Sequence, residues 1–181
     1  TISEVCDMLK EERLLDGEEI SRIQDFLAGN EVKFQEKKRH TYEQKLALTE
    51  HAVSKKMLET ALEKKSNLIA SADVITTAEL HQLAEKVGPH IVALKTHIDI
   101  ITDFDFDKTI IPLRDIAEKH NFLIMEDRKF ADIGSTQELQ YSYGIYKISS
   151  WADLITSQVI GGYQSMDFFL NSGIVAILSM S

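Results

Sequence analysis

From Asn67 onward the chain alternates short apolar runs with stretches of helical periodicity. The runs are Leu68-Ile69-Ala70-Ser71-Ala72-Asp73-Val74, Ile91-Val92-Ala93-Leu94, Phe122-Leu123-Ile124-Met125, Trp151-Ala152-Asp153-Leu154-Ile155 and Ile174-Val175-Ala176-Ile177-Leu178. Their length and apolarity predict buried strands. Between them, helices are predicted from a cap at Thr76 or Thr77 to Val87, over Asp107–His120, over Gly134–Tyr143 and over Gln164–Leu170. Gly88-Pro89 closes the first of these. Strands alternating with helices at this spacing predict βαβ units and a parallel sheet. Near-continuous apolar strands fit a sheet covered on both faces. Two α/β architectures satisfy the pattern, an open doubly wound sheet and a (β/α)8 barrel. No glycine-rich loop follows the first strand, which disfavours a dinucleotide-binding fold.

The N-terminal part reads differently. Residues 1–30 predict two short helices, with Ile2, Val5 and Leu9 on one face and Ile20, Ile23, Phe26 and Leu27 on another. Asp16-Gly17 separates them, and Gly29-Asn30 is a C-cap signal. Glu31–His40 is charged and reads as a linker. Thr41 with Gln44 fits a capping box, and a helix follows over 52–65.

Composition narrows the function classes. The 181 residues suffice for one domain with a real core, at 44% hydrophobic and 27% charged. A net charge of −9 argues against a nucleic-acid or anionic-membrane surface, so an anionic substrate would need a local basic pocket. No apolar run approaches the ~20 residues of a membrane span. The N-terminus lacks a signal-peptide pattern. Cys6 is the sole cysteine, which excludes an internal disulfide and suggests a reducing, cytoplasmic setting. A start at Thr1 is compatible with processing or with a longer parent chain.

Candidate chemistry lies at the strand ends. Asp73 ends the first run, Lys95 and His97 follow the second, and Asp127 and Lys129 follow the third. One charged strand end is explained by an exposed loop. Three in succession favour a site, because a barrel gathers its C-terminal strand ends at one mouth. Asp127 and Lys129, two apart, would face the same space on an extended strand. Carboxylates beside a lysine favour its charged form, and an ammonium can protonate a carbanion. His97 reads as an ordinary packed histidine, and Asp99 and Asp103 as capping or solvated residues. Trp151 and Tyr141 read as core or interface. Phe104–Asp107 reads as a loop with hydrophobic anchors.

Several of these segments resemble a known family. They are Asn67-Leu68 with Ser71-Ala72-Asp73-Val74, Leu94-Lys95-Thr96-His97-Ile98-Asp99-Ile100, Glu126-Asp127-Arg128-Lys129-Phe130-Ala131-Asp132-Ile133-Gly134-Ser135-Thr136, and Ser150-Trp151-Ala152-Asp153. Together they resemble eukaryotic-type orotidine 5'-monophosphate decarboxylases. The Asp-x-Lys-x-x-Asp core is shared with a wider suprafamily. The longer run to Gly134, with Lys-Thr-His upstream, is specific. The resemblance covers about Thr41 to Ser181 and implies a (β/α)8 TIM barrel of which about the first five strands are present. Residues 1–40 are similar to the helical connection after an orotate phosphoribosyltransferase domain in bifunctional UMP synthases.

The resemblance implies cofactor-free and metal-free decarboxylation of orotidine 5'-monophosphate to UMP. It implies Lys129 as proton donor at C6, Asp127 beside the departing carboxylate, and Lys95 in the charge network near the ribose. Asp73 would hold a ribose hydroxyl, with Ser71 and Ile133 also in the substrate-binding set. Asp132 and Thr136 would reach into the site of a second subunit, making a homodimer with shared active sites, and Ser181 would read the pyrimidine edge. The family's phosphate-gripping loop and its arginine would fall beyond Ser181, Ser179 replaces an acidic residue usual in its fifth strand, and Val159–Gly173 is shorter than its counterpart. Barrels of this kind take about 250 residues. The expectation is a fragment inactive by itself, whose cut sheet exposes an apolar edge. Two alternatives are a Mg²⁺-dependent sugar-phosphate decarboxylase or aldolase of the same suprafamily, and a non-catalytic product that pairs with full-length subunits.

Overall fold

The computed structural model describes residues 16–19, 21, 22, 25, 39–169 and 172–178. The chain divides into two compact units, Thr1–Arg39 and His40–Ser181. In the first, residues 17–19, 21, 22 and 25 are helical. Asp16 caps that helix, its carboxylate accepting from the Glu18 and Glu19 amides at 2.9 and 2.8 Å. The predicted helix around Ile2–Leu9, the Gly29-Asn30 cap, most of the linker, Cys6, Ser179 and Ser181 lie outside the described residues.

The second unit opens with α1 (Tyr42–Leu48), started by the Thr41/Gln44 capping box, and α2 (Ala52–Lys64). Five parallel strands follow in sequential order among the described residues: β1 (Ile69–Ala72), β2 (Ala93–Thr96), β3 (Leu123–Phe130), β4 (Leu154–Gln158) and β5 (Gly173–Ile177). Between β1 and β2 runs α3 (Thr77–Val87), and a π-helical turn at Phe106–Ile110 leads into α4 (Ile111–His120) before β3. After β3 comes α5 (Gly134–Glu138), continued by a π turn over Leu139–Tyr143. A Thr76/Glu79 capping box starts α3. Thr76→Ala should therefore cost about 1 kcal/mol in a denaturant titration.

Alternation along the strands sorts the side chains onto two faces. Leu94, Ile124 and Ile155 join Leu80 and Ala84 of α3, Leu113 and Ile116 of α4, and Phe122 in the larger core. Ala93, Leu123, Met125 and Leu154 point the other way and pack with Val53, Met57 and Ala61 of α2. Gly173 lets α2 close onto β5, since a Cβ there would lie 2.9 Å from Leu154 Cδ2 and 3.2 Å from Val53 Cγ1. The opposite face is thus filled at the N-terminal ends of the strands, leaving the C-terminal ends for polar groups.

Three sequence expectations are corrected. The fourth strand starts at Leu154, because Trp151 and Ala152 are buried loop residues, with Trp151 donating its indole N–H to Tyr146 O at 2.7 Å. It runs on through Thr156, Ser157 and Gln158, polar residues that hide a strand from an apolarity scan. No α-helix covers 164–169; a 3₁₀ turn over Tyr163–Met166 stands there, after Gly162 at φ 82°. Ser165 Oγ donates back to Gly162 O at 2.7 Å, a local bond that competes with helix growth. The third strand extends beyond its apolar run to Phe130. As expected, Trp151 and Tyr141 are core residues, and Phe104 and Phe106 pack against the core.

Candidate active site

β3 is irregular where its sequence turns charged. Glu126 pairs with Ile155, but Phe130 pairs with Ser157, so four steps on β3 span two on β4. Lys129 absorbs the excess with φ 53°, a left-handed conformation unusual for a residue with a long side chain. Its amide donates to Thr156 Oγ1 at 2.9 Å, which fixes the distorted strand to β4. Strain of this kind clusters at functional positions. Glycine accepts a positive φ without a Cβ penalty. Lys129→Gly should therefore be about 1 kcal/mol more stable than Lys129→Ala by chemical denaturation.

Asp127 is the centre of the site. Its side chain is 10% exposed. Lys129 Nζ donates to Oδ2 at 2.7 Å and Lys95 Nζ to the same oxygen at 3.2 Å. Thr156 Oγ1 donates to Oδ1 at 2.7 Å. The Thr156 hydroxyl thus gives its proton to the carboxylate and takes one from the Lys129 amide. Burial pushes the Asp127 carboxyl up, but the hydrogen bonds from Lys129, Thr156 and Lys95 outweigh it and hold it down at about 2.

β2 supplies the other wall. Lys95 pairs with Ser71 of β1 and Met125 of β3, so its side chain rises between Asp73 and Asp127. Lys95 Nζ lies 3.7 Å from Asp73 Oδ1, an ion pair at the rim, where the aspartate side chain is 62% exposed. His97 Nε2 stands 3.1 Å from Lys95 Nζ and 3.4 Å from Asp127 Oδ2. An ammonium has only protons to give, so the contact with Lys95 fits the tautomer with its lone pair on Nε2. His97 is therefore a member of the charge cluster and not the plain packing residue its sequence context suggested.

Not every expected residue joins the cluster. Asp132 is exposed, its carboxylate accepting from the Ile133 amide at 2.8 Å and its carbonyl from the Gln137 side chain. It lines a cleft of about 530 Å³ that Lys129 also borders, while Lys95 and Asp127 stand outside that lining. Ile133 is exposed and Thr136 half-buried on the same segment. Ser71 is exposed beside Lys95.

The arrangement is a preorganised array of fixed charge: one buried carboxylate, two ammonium groups and a bridging hydroxyl, open on the Lys129 side. Residues 66–173 match the Orotidine 5'-phosphate decarboxylase / HUMPS family. The chain belongs to this family. Over 122 residues it is 52% identical to the orotidine 5'-phosphate decarboxylase of Torulaspora delbrueckii, covering 67% of this chain and 46% of that protein. It is 56% identical over 110 residues to the one from Kodamaea ohmeri, covering 61% and 42%. The chain spans about half the length of the curated relatives it matches. The solved orotidine 5'-monophosphate decarboxylase of Methanocaldococcus jannaschii shares its fold, with a TM-score of 0.52 at 21% identity over 64% of this chain and 56% of that one. The five sequential strands are accordingly part of a (β/α)8 barrel, and the decarboxylase-family motif lies at their C-terminal ends. Thr156 was missed from the sequence. Its place two residues after Leu154, on the same strand face as that core residue, was the available signal.

Proposed function

We propose that the protein carrying this chain decarboxylates orotidine 5'-monophosphate to UMP, without cofactor or metal. The observation that carries the reading is the buried Asp127 carboxylate held by Lys129, Lys95 and Thr156 at the mouth of the sheet. The substrate's C6–carboxylate bond breaks heterolytically, CO₂ departs, and the electron pair stays on C6 in the ring plane. Lys129 Nζ then gives a proton to C6 and regains one from solvent. With its side chain 37% exposed, Lys129 faces the opening while Asp127 anchors it from below. Asp127 stays ionised at neutral pH, so it crowds the substrate carboxylate more in the ground state than in the transition state. Fixed charge in a water-poor site stabilises developing charge without reorganising at the moment of reaction.

The same reading assigns Asp73 and Ser71, on the exposed side of Lys95, to the ribose, and Ser181 to the pyrimidine. Asp132, Ile133 and Thr136 face outward and serve a second subunit in a homodimer. The exposure of Ile133, Leu139 and Tyr143 around that segment supports a covered interface. Residues 1–40 are the helical linker or end of an upstream orotate phosphoribosyltransferase domain, a reading supported by the division at Arg39/His40. The same reading makes the protein cytoplasmic and not a nucleic-acid binder, the latter supported by the net charge of −9. Among the described residues no helix is long and apolar enough to cross a membrane.

Release of labelled CO₂ from carboxyl-labelled orotidine 5'-monophosphate by the intact protein, with a chelator present, tests the proposal. Turnover that survives the chelator supports it. Turnover that needs Mg²⁺ overturns it in favour of suprafamily sugar-phosphate chemistry. No turnover, with capture of an intact decarboxylase subunit, would leave this chain a pairing partner only.

A further inference from the structure

Directly behind the charge cluster, on the other face of the sheet, sits a group the mechanism does not use. Glu126 is 0% exposed. Its Oε2 accepts from Thr96 Oγ1 at 2.6 Å, and the Ile98 amide donates to Oε1 at 3.1 Å and Oε2 at 3.2 Å. Thr96 and Ile98 are themselves buried. Their sequence positions matter. Lys95 and His97 face the cluster, and Thr96 and Ile98, the alternate residues of the same segment, face Glu126. On β3 the same alternation puts Asp127 in the cluster and Glu126 behind it. One side chain therefore ties the end of β2 to the end of β3 at the level where Lys95 meets Asp127. A buried carboxyl is costly unless it is hydrogen-bonded, and an apolar residue would fill this core at lower cost. The geometry says what the carboxyl supplies in return: a cross-strand clamp that shorter or apolar side chains cannot make.

We propose that Glu126 is a positioning residue for the proposed decarboxylation: its bonds to Thr96 and Ile98 set the register of Lys95 and His97 against Asp127. The inference rests on the functional reading only for its purpose, since the clamp itself can be measured without turnover. The other ionisable groups acting on Glu126 are Asp99 and Asp127.

The test reads the Asp127 carboxyl by carbon-13 NMR through an acid titration of the full chain. In Glu126→Ala and in Thr96→Val the Lys95 contact should loosen, and the Asp127 midpoint should rise by about one pH unit towards the ordinary aspartate value. Glu126→Gln keeps an acceptor for the Ile98 amide and a polar partner for Thr96, so it should retain the low midpoint. Leu113→Ala, a core truncation of α4, should lower thermal stability without moving Asp127. An unmoved midpoint in Glu126→Ala and Thr96→Val would overturn the proposal, as would an equal shift in Leu113→Ala. If Glu126→Ala does not fold, Thr96→Val decides alone. Wild-type turnover of orotidine 5'-monophosphate is scored separately, so loss of the functional reading and loss of the clamp give different results.

Discussion

Lys129→Ala should lower kcat/KM for orotidine 5'-monophosphate decarboxylation by roughly 10³-fold or more in the intact protein, while unfolding shows a native fold. The size follows from what is removed. A positioned proton donor contributes about 10²–10⁴-fold, and one lost electrostatic contact to developing charge costs about 10²–10³-fold. Both roles fall on one ammonium, which sits 2.7 Å from Asp127 on a half-exposed side chain. Exposure keeps the structural cost small, because no large apolar surface is uncovered. Thr156→Val should be milder in turnover. It deletes the hydroxyl that bridges Asp127 Oδ1 and the Lys129 amide, so it loosens the array without removing a charge. Steady-state kinetics on the two variants check the ranking. A Lys129→Ala protein working within tenfold of the parent would show that the proton reaches C6 from another group.

The strands were legible in the sequence because burial on both faces forces apolar runs, and each of the five runs overlaps an observed strand. β4 was read three residues early for a physical reason. Its C-terminal half is Thr156-Ser157-Gln158, polar because it meets the site, and the apolar signal came instead from Trp151, a loop residue packed into the core. The pairing of Asp127 with Lys129 could be read from spacing alone, since residues two apart share a strand face. The local distortion could not. A lysine at φ 53° carries no glycine or asparagine signature, and it is held by a bond from β4 that no local pattern encodes. His97 was misjudged for the same reason: its partners, Lys95 and Asp127, converge only once β2 and β3 pair. Asp132 illustrates the opposite limit. By resemblance it was expected to reach into a second subunit's site, and within this chain its exposed carboxylate accepts from the Ile133 amide and stands apart from the charge cluster.

Stability should respond to pH in opposite senses at the two neighbouring acids of β3. Burial, the largest influence on Glu126, pushes its carboxyl up from the ordinary 4.5 to about 8, against the lowering bonds from Thr96 and the Ile98 amide. An acid raised in the folded state stabilises the fold while both states are protonated, and this contribution erodes as the unfolded chain ionises first. Wild-type stability should therefore fall relative to Glu126→Gln as pH rises from about 4.5 to about 8, by about 1.4 kcal/mol per pH unit at most. Asp127 works the other way. Its carboxyl is held down at about 2 in the fold, so its contribution is complete above the ordinary 3.8 and is lost as pH falls through 3.8 towards 2. Relative to Asp127→Asn, wild type should lose stability only in that acid window. Urea titrations of the three proteins between pH 2 and pH 9 separate the effects, because each difference removes the background common to all. A flat difference between wild type and Glu126→Gln from pH 4.5 to 8 would mean that Glu126 ionises in place near the ordinary 4.5, putting a second negative charge directly behind Asp127 with Asp99 also nearby.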